Sequence, residues 1–183
     1  HMPARHRSMR AVLSQSWHYL APDERQVFRR LAVFEGGFRL AAATAVAGAP
    51  LPVLAALAGK SMLHLAPDGR YRTHDLLRQF AAEQLAALPA ELAGCRARHA
   101  AYFMDFLAER KGELTGPGQM AARREIGDEI DNIRAAWSYL AGQGQLPTQN
   151  ALRALFRFLW MCGRYQEGAY MAAQALEGVD PAR

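Results

Sequence analysis

The sequence predicts a mainly α protein: a winged-helix domain with a small β-hairpin wing, followed by a helical, α-solenoid-like segment. Three observations carry this. Helix-period apolar stripes run through most of the chain, one turn cluster at Pro67-Asp68-Gly69 separates two short alternating stretches, and a Gly163 turn joins two amphipathic helices near the end.

The first periodic segment covers residues 8–20, with Met9, Val12, Leu13, Trp17 and Leu20 on one face and Ser8 as its expected N-cap. A second helix begins at Ala21-Pro22-Asp23-Glu24, because proline suits the first turn and two acids suit the positive end of the helix dipole. Val27, Phe28 and Leu31 form its buried stripe, and Gly36-Gly37 is its expected end. Phe38 then anchors a short extended piece. Two alanine-rich helices follow, over 40–47 and 52–60, separated by Gly48-Ala49-Pro50. Residues 62–65 and 70–73 read as the strands of the hairpin, and 75–88 as the helix that closes the domain.

Leu88-Pro89 is the expected boundary, dividing the chain into a winged-helix-like domain, 1–88, and a helical connector with a first repeat-like helix pair, 89–183. Beyond it the periodicity predicts helices over 91–114, 120–141, 149–162 and 166–176. In the second of these Ile126, Ile130, Ile133, Trp137 and Leu140 recur at spacings of 4, 3, 4 and 3, which is a seam for packing on other helices. The last two make one repeat unit of an α-solenoid, and one such unit cannot bury both of its own faces.

At 183 residues and 51% apolar composition the chain is long enough for one generous core or two small ones. His1-Met2 is the remnant that a cleaved tag commonly leaves, so both ends are expected to be chosen boundaries within a longer protein. No stretch reaches the ~18 to 20 apolar residues of a membrane span, and a cytoplasmic protein is expected. Cys95 and Cys162 stand on separate helices without partners at metal-ligand spacing, and are expected to be buried thiols. The net charge of +5 comes almost wholly from arginine, Lys60 and Lys111 being the only lysines. That balance permits a phosphate-bearing partner without requiring one, since acids interleave the arginines.

Three stretches, taken in order, resemble the segment that follows the nucleotide-binding domain in bacterial STAND regulators, the NB-ARC-type signal-transduction ATPases. Trp17 with Leu20 to Arg25, then Arg30-Leu31-Ala32-Val33-Phe34-Glu35-Gly36-Gly37-Phe38, resembles the start of that family's winged-helix domain. Thr73-His74-Asp75-Leu76-Leu77-Arg78 is similar to its Met-His-Asp motif, with threonine in place of methionine. Glu129-Ile130-Asp131-Asn132-Ile133-Arg134-Ala135-Ala136 resembles the connector before its tetratricopeptide-like sensor repeats. The tail has Gly163, Tyr165, Ala175 and Pro181 near tetratricopeptide positions, with Gly168 where alanine is usual.

The resemblance implies that His74 contacts the β-phosphate of ADP held by a nucleotide-binding domain of the same parent chain and so stabilises an inactive state. It also implies ADP or ATP in the parent protein, none in this chain, and sensor repeats beyond Arg183. The local physics is compatible, because His74 stands where a strand meets a helix N-terminus, a place that favours anions. One charge-assisted hydrogen bond contributes ~1.5 to 3 kcal/mol, enough to shift a closed-to-open equilibrium roughly 10- to 150-fold. Asp75 is expected to cap its helix.

No enzymatic role is expected, and no catalytic or metal-binding residue is assigned. No Gly-x-x-x-x-Gly-Lys-Ser/Thr loop is present: Gly59-Lys60-Ser61 echoes its end, but Leu54 stands where the first glycine belongs. His6, His18, His64 and His99 have no Cys or acidic partner at ligand spacing. The acidic run Glu125, Asp128, Glu129 and Asp131 reads as a solvated helix face.

Two other function classes stay open. As a DNA-binding winged-helix transcription factor the chain would use Arg70, Arg72 and Lys60 on phosphates, but the helix before the wing has no Arg, Asn or Gln to read a base edge, so DNA is the less favoured partner. As a helical adaptor it would dock a protein partner on the aromatic stripe of Tyr102, Phe103 and Phe106 or on Phe156, Phe158 and Trp160, stripes that at helical spacing more often serve a core.

Overall fold

The computed structural model describes residues 13–179, so the expected Ser8 cap lies outside the described residues. The chain divides into two compact units, His1–Cys95 and Arg96–Arg183. The predicted fold class is the observed one: a helical chain with one two-stranded antiparallel sheet.

In the first unit a helix over 13–18 (α1) leads to α2, Pro22–Arg30. The N-terminus of α2 carries the expected acids, and Glu24 Oε2 accepts the Ala21 N–H at 2.7 Å. The helix stops earlier than Gly36-Gly37: Leu31–Val33 tightens into a 3-10 turn that delivers Phe34 and Phe38 to the core, their rings 4.6 Å apart. α3, Leu40–Ala47, ends on Gly48 at φ 66, and α4, Leu51–Gly59, starts after Pro50. Together α3 and α4 bury Ala42, Ala43, Val46, Ala47, Leu54 and Leu57. Each fully buried leucine or phenylalanine contributes roughly 1.5–3 kcal/mol. Trp17 of α1 closes the other side, edge-on to Phe80 at 5.8 Å.

The wing is β1, His64–Leu65, paired with β2, Tyr71–Arg72, in the register His64 to Arg72 and Leu65 to Tyr71. Its turn is closed by Gly69 N–H donating to Ala66 O at 2.9 Å, with Gly69 at φ 76. Phe38 pairs with the other edge of β2, exchanging hydrogen bonds with Tyr71 of 3.0 and 2.8 Å. Gly37, at φ 101, lies so close that a Cβ there would sit 2.9 Å from the Tyr71 carbonyl oxygen. α5, Asp75–Ala86, follows the wing and buries Phe80, Ala81 and Leu85. α6, Pro89–Arg110, begins within this unit; Glu91 in its first turn accepts from Arg29 Nε at 2.9 Å and Arg30 Nε at 2.5 Å, which ties it to the end of α2.

The second unit takes in the rest of α6, a 3-10 turn at Glu113–Thr115, α7, Gln119–Asp128, α8, Ile130–Gly142, α9, Gln149–Met161, and α10, Tyr165–Val179. The single helix expected over 120–141 is two helices. Glu129, at φ −103 and ψ 7, breaks the run, yet Ile126, Ile130, Ile133 and Trp137 stay buried along it. The break also turns Glu129 inward, so the expected solvated acidic face holds for Glu125, Asp128 and Asp131 but not for Glu129. α8 meets α10 through Trp137 Nε1, which donates to Met171 O at 3.1 Å, and through Arg134, whose Nε donates to Glu167 Oε1 at 2.7 Å. Cys95 is buried and Cys162 only half-buried. Among the described residues no single helix is long and apolar enough to cross a membrane; α3 and α4 reach that composition only jointly and are bent by 106° between them.

Two glycines give substitutions of opposite sign. Gly168 is buried inside α10, and a Cβ there would meet Phe156 and Leu159 at the ordinary contact distances of 3.6 and 3.7 Å. Gly168→Ala should therefore stabilise by about 0.5–1 kcal/mol, read as a higher Tm, because the helix no longer carries the entropy cost of glycine. Gly37→Ala should destabilise by about 1–3 kcal/mol and loosen the wing, read as faster amide exchange at Phe38 and Tyr71.

Candidate functional site

The resemblance of Thr73-His74-Asp75 to the Met-His-Asp motif singles out His74, and the wing sets where it stands. β2 ends at Arg72, Thr73 turns the chain, and His74 becomes the N-cap of α5 with extended backbone at φ −63 and ψ 140. Its Nδ1 accepts the Leu76 N–H at 3.4 Å. That bond assigns the ring proton to Nε2, and His74 is exposed, so a donor faces outward beside the positive end of a helix. The capping expected of Asp75 thus falls to His74; Asp75 is the first helical residue and lines a hollow with Glu35, Arg72, Thr73 and Arg78. Within that hollow Arg78 Nη1 and Glu35 Oε1 are 2.8 Å apart.

On another side His74 lines a shallow hollow with Ser61, Met62, His64, Leu65 and Leu77. Ser61 closes α4 in the left-handed conformation, φ 59, with Ser61 N–H bonded to Ala58 O and Met62 N–H to Leu57 O at 3.0 and 2.9 Å. Gly59-Lys60-Ser61 is therefore a helix C-terminus, where carbonyl groups and not N–H groups point outward.

The three cations considered for phosphate contact are not brought together as one free patch. Lys60 Nζ lies 2.8 and 2.5 Å from the two oxygens of Glu24, clamping the end of α4 to the start of α2. Glu24 is buried, and the Lys60 hydrogen bond, with the Ala21 N–H, holds its carboxyl below the usual range against the opposing effect of burial. Arg70 is 3% exposed and donates from Nη2 to the Gly37 carbonyl oxygen at 3.0 Å, behind the wing. Arg72 is half exposed and donates from Nη2 to Asp68 Oδ2 at 2.6 Å. The residues that α4 turns outward are Leu51, Pro52, Ala55 and Gly59, none of which has a side chain able to read a base edge.

Sequence reasoning missed a buried polar chain in the second unit. His99, on α6, and Asn132, on α8, approach at 3.3 Å through Nε2 and Oδ1, and Asn132 Nδ2 donates to Glu129 Oε2 at 2.9 Å. Burial pushes the His99 imidazole down to about 4, the Asn132 bond opposing. Its only signal in the sequence is that His99 falls on the same helical face as Cys95 and Phe103. Of the aromatic stripes, Phe103 and Phe158 are core while Trp160 is 63% exposed.

The first unit thus carries a short hairpin wing with an exposed histidine at the start of the helix that follows it. The chain is similar to proteins provisionally named HTH-type transcriptional regulators, 33% identical over 168 residues, from Mycobacterium bovis and from two strains of Mycobacterium tuberculosis. Those matches take in 85% of this chain but only 18% of each relative, so the chain spans less than a fifth of their length. No family model matches the chain, and no solved structure does.

Two acid-side effects follow. The folded-state titration of both Glu24 and His99 is depressed, so each contributes stability that is complete above its unfolded value and is lost as pH falls through its folded value. For His99 the loss should run from about pH 6.5 to about pH 4, and His99→Phe should flatten that part of the stability curve by urea unfolding. Lys60→Met should cost about 1.5–3 kcal/mol at pH 7, with the difference from wild type shrinking in acid as Glu24 is protonated; an unchanged Tm at pH 7 would contradict the clamp.

Proposed function

We propose that this chain is the winged-helix and connector segment of a transcriptional regulator of the STAND, NB-ARC type. In this reading the winged-helix part stabilises the ADP-bound, inactive state of a neighbouring nucleotide-binding domain, and the helical part relays the binding of a ligand or partner. The chain itself does no chemistry on the nucleotide. The single observation that carries the reading is the presentation of His74: capping through Nδ1 leaves its Nε2–H outward at the N-terminus of α5, suited to a phosphate oxygen. The outer face of α4 supports a protein-facing role, since Leu51, Pro52 and Ala55 offer apolar contact and no base-edge donor or acceptor. The name carried by the mycobacterial relatives supports a transcriptional output.

That same name favours a second reading, in which this winged-helix unit itself touches DNA. Arg72, half exposed on the wing and paired among the described residues with a solvent-facing Asp68, is the residue it would draw on.

The test uses the parent protein, purified with His74 intact, as His74→Ala and as His74→Ser, then denatured and assayed for released nucleotide. Wild type should release ADP, and both variants should retain roughly 10- to 150-fold less strongly, as expected for one charge-assisted hydrogen bond. Serine keeps a capping oxygen but not the reach of an imidazole, so recovery of retention in the serine variant would reduce His74 to a cap. Parent protein free of nucleotide, together with saturable, salt-dependent binding of duplex DNA that Arg72→Ala weakens, would transfer the assignment to the second reading.

A further inference from the structure

The outward face of α9 carries a pattern that the reading above does not use. Asn150, Arg153, Arg157 and Trp160 follow one another at spacings of 3, 4 and 3, and all are exposed; Arg164, also exposed, comes just past the helix, after the turn at Gly163. At about 100° per residue the first four fall within an arc of about 80°, running about 15 Å along the helix. The opposite side of α9, with Ala151, Ala154, Leu155, Phe158 and Leu159, is buried. Trp160 therefore stands out on a face that its own helix does not need for packing, at 63% exposure between two arginines.

The arginines are held ready to different degrees. Arg153 has no partner among the described residues. Arg157 donates from Nε to the Leu114 carbonyl oxygen at 3.1 Å, which fixes its stem while the terminal nitrogens stay uncommitted. Arg164 has Glu167 at 3.7 Å, but that carboxylate lies closer to Arg134, at 2.7 Å. Lys111, bonded to Asn150 at 3.0 Å, adds a further positive charge at the start of the stripe.

We infer that this face is a docking surface for an acidic amphipathic helix of a protein partner. Spacings of 3 and 4 are those at which two helices mesh side chains along a seam, so a partner helix with carboxylates in the same rhythm meets the arginines in turn. Arginine takes a carboxylate through paired N–H donors, and tryptophan between them supplies the apolar anchor that commonly dominates such contacts. A nucleic acid fits less well: one tryptophan is no stacking track, and Glu113 and Glu167 at the margins would oppose a phosphodiester backbone. A second copy of this chain fits less well too, because two such faces would set arginine against arginine.

The experiment titrates the 183-residue chain with a synthetic helical peptide of about 20 residues, long enough to hold a helix, bearing Glu at 3-4 spacing around one Leu. Tryptophan fluorescence gives the readout, with Trp160→Phe subtracting Trp17 and Trp137. Saturable binding with a Trp160 signal is expected, weakened tenfold or more by Arg153→Glu with Arg157→Glu, and recovered in that variant by a peptide with Lys for Glu. Arg153→Glu alone, at a residue without a structural partner, keeps the test valid should the Arg157 change disturb folding. The inference is overturned by absence of saturation at low salt, by equal binding of a scrambled peptide, or by tighter binding of an oligo-dT strand. Concentration-dependent dimerisation that Arg153→Glu abolishes would also overturn it, giving the face to a second copy.

Discussion

Two backbone hydrogen bonds between Phe38 and Tyr71 hold the first unit's functional geometry together. Strands of two residues cannot stand alone, since an isolated hairpin is marginal in water even when longer. Here β2 is held on one side by β1 and on the other by Phe38, while the ring of Phe38 stacks on Tyr71 with centroids 5.9 Å apart. The approach is close enough that only glycine fits at position 37, and Arg70 fills the space behind by donating to the carbonyl of that same glycine. Everything downstream inherits this placement: the end of β2 fixes Thr73, Thr73 fixes where α5 begins, and that start decides which way the imidazole of His74 faces.

The charges of this unit serve cohesion more than recognition. Lys60 clamps α4 to α2 through Glu24, and Arg29 and Arg30 converge on Glu91 at the start of α6. Burial opposes the ionised form of Glu91, yet the two arginine hydrogen bonds leave its carboxyl below the usual range. A net charge of +5 therefore overstates the free basic surface near the wing. In the second unit arginines have both uses: Arg134 joins Asp131 to Glu167 across helices, whereas Arg153 stays uncommitted.

Much of the fold was legible because its signals are local. Apolar periodicity placed the helices, Gly48 and Pro50 divided α3 from α4, and Pro67-Asp68-Gly69 marked the turn of the wing. The break at Glu129 was hidden because the isoleucine rhythm runs through it unchanged, and that rhythm suits two packed helices as well as one. The early end of α2 was hidden for a similar reason: Leu31-Ala32-Val33 keeps the helix apolar pattern while tightening to 3-10 geometry. His74 was singled out only by the resemblance of its stretch to the Met-His-Asp motif, and its cap to Leu76 was hidden, since histidine is an uncommon capping residue. Burial of Arg70 depends on the approach of Gly37, some thirty positions away, and no local pattern reports that. Exposure of Trp160 likewise depends on which neighbours α9 receives.

The brevity of the wing has a bearing on colloidal behaviour. An open strand edge is a template on which another chain can lay a strand of its own, and β1 presents such an edge with Leu65 exposed. Two residues offer too few unpaired backbone groups to hold an incoming strand, and Pro67 just beyond cannot donate to one. The sheet thus remains a local brace, and misassembly through cross-strand growth has little to start from.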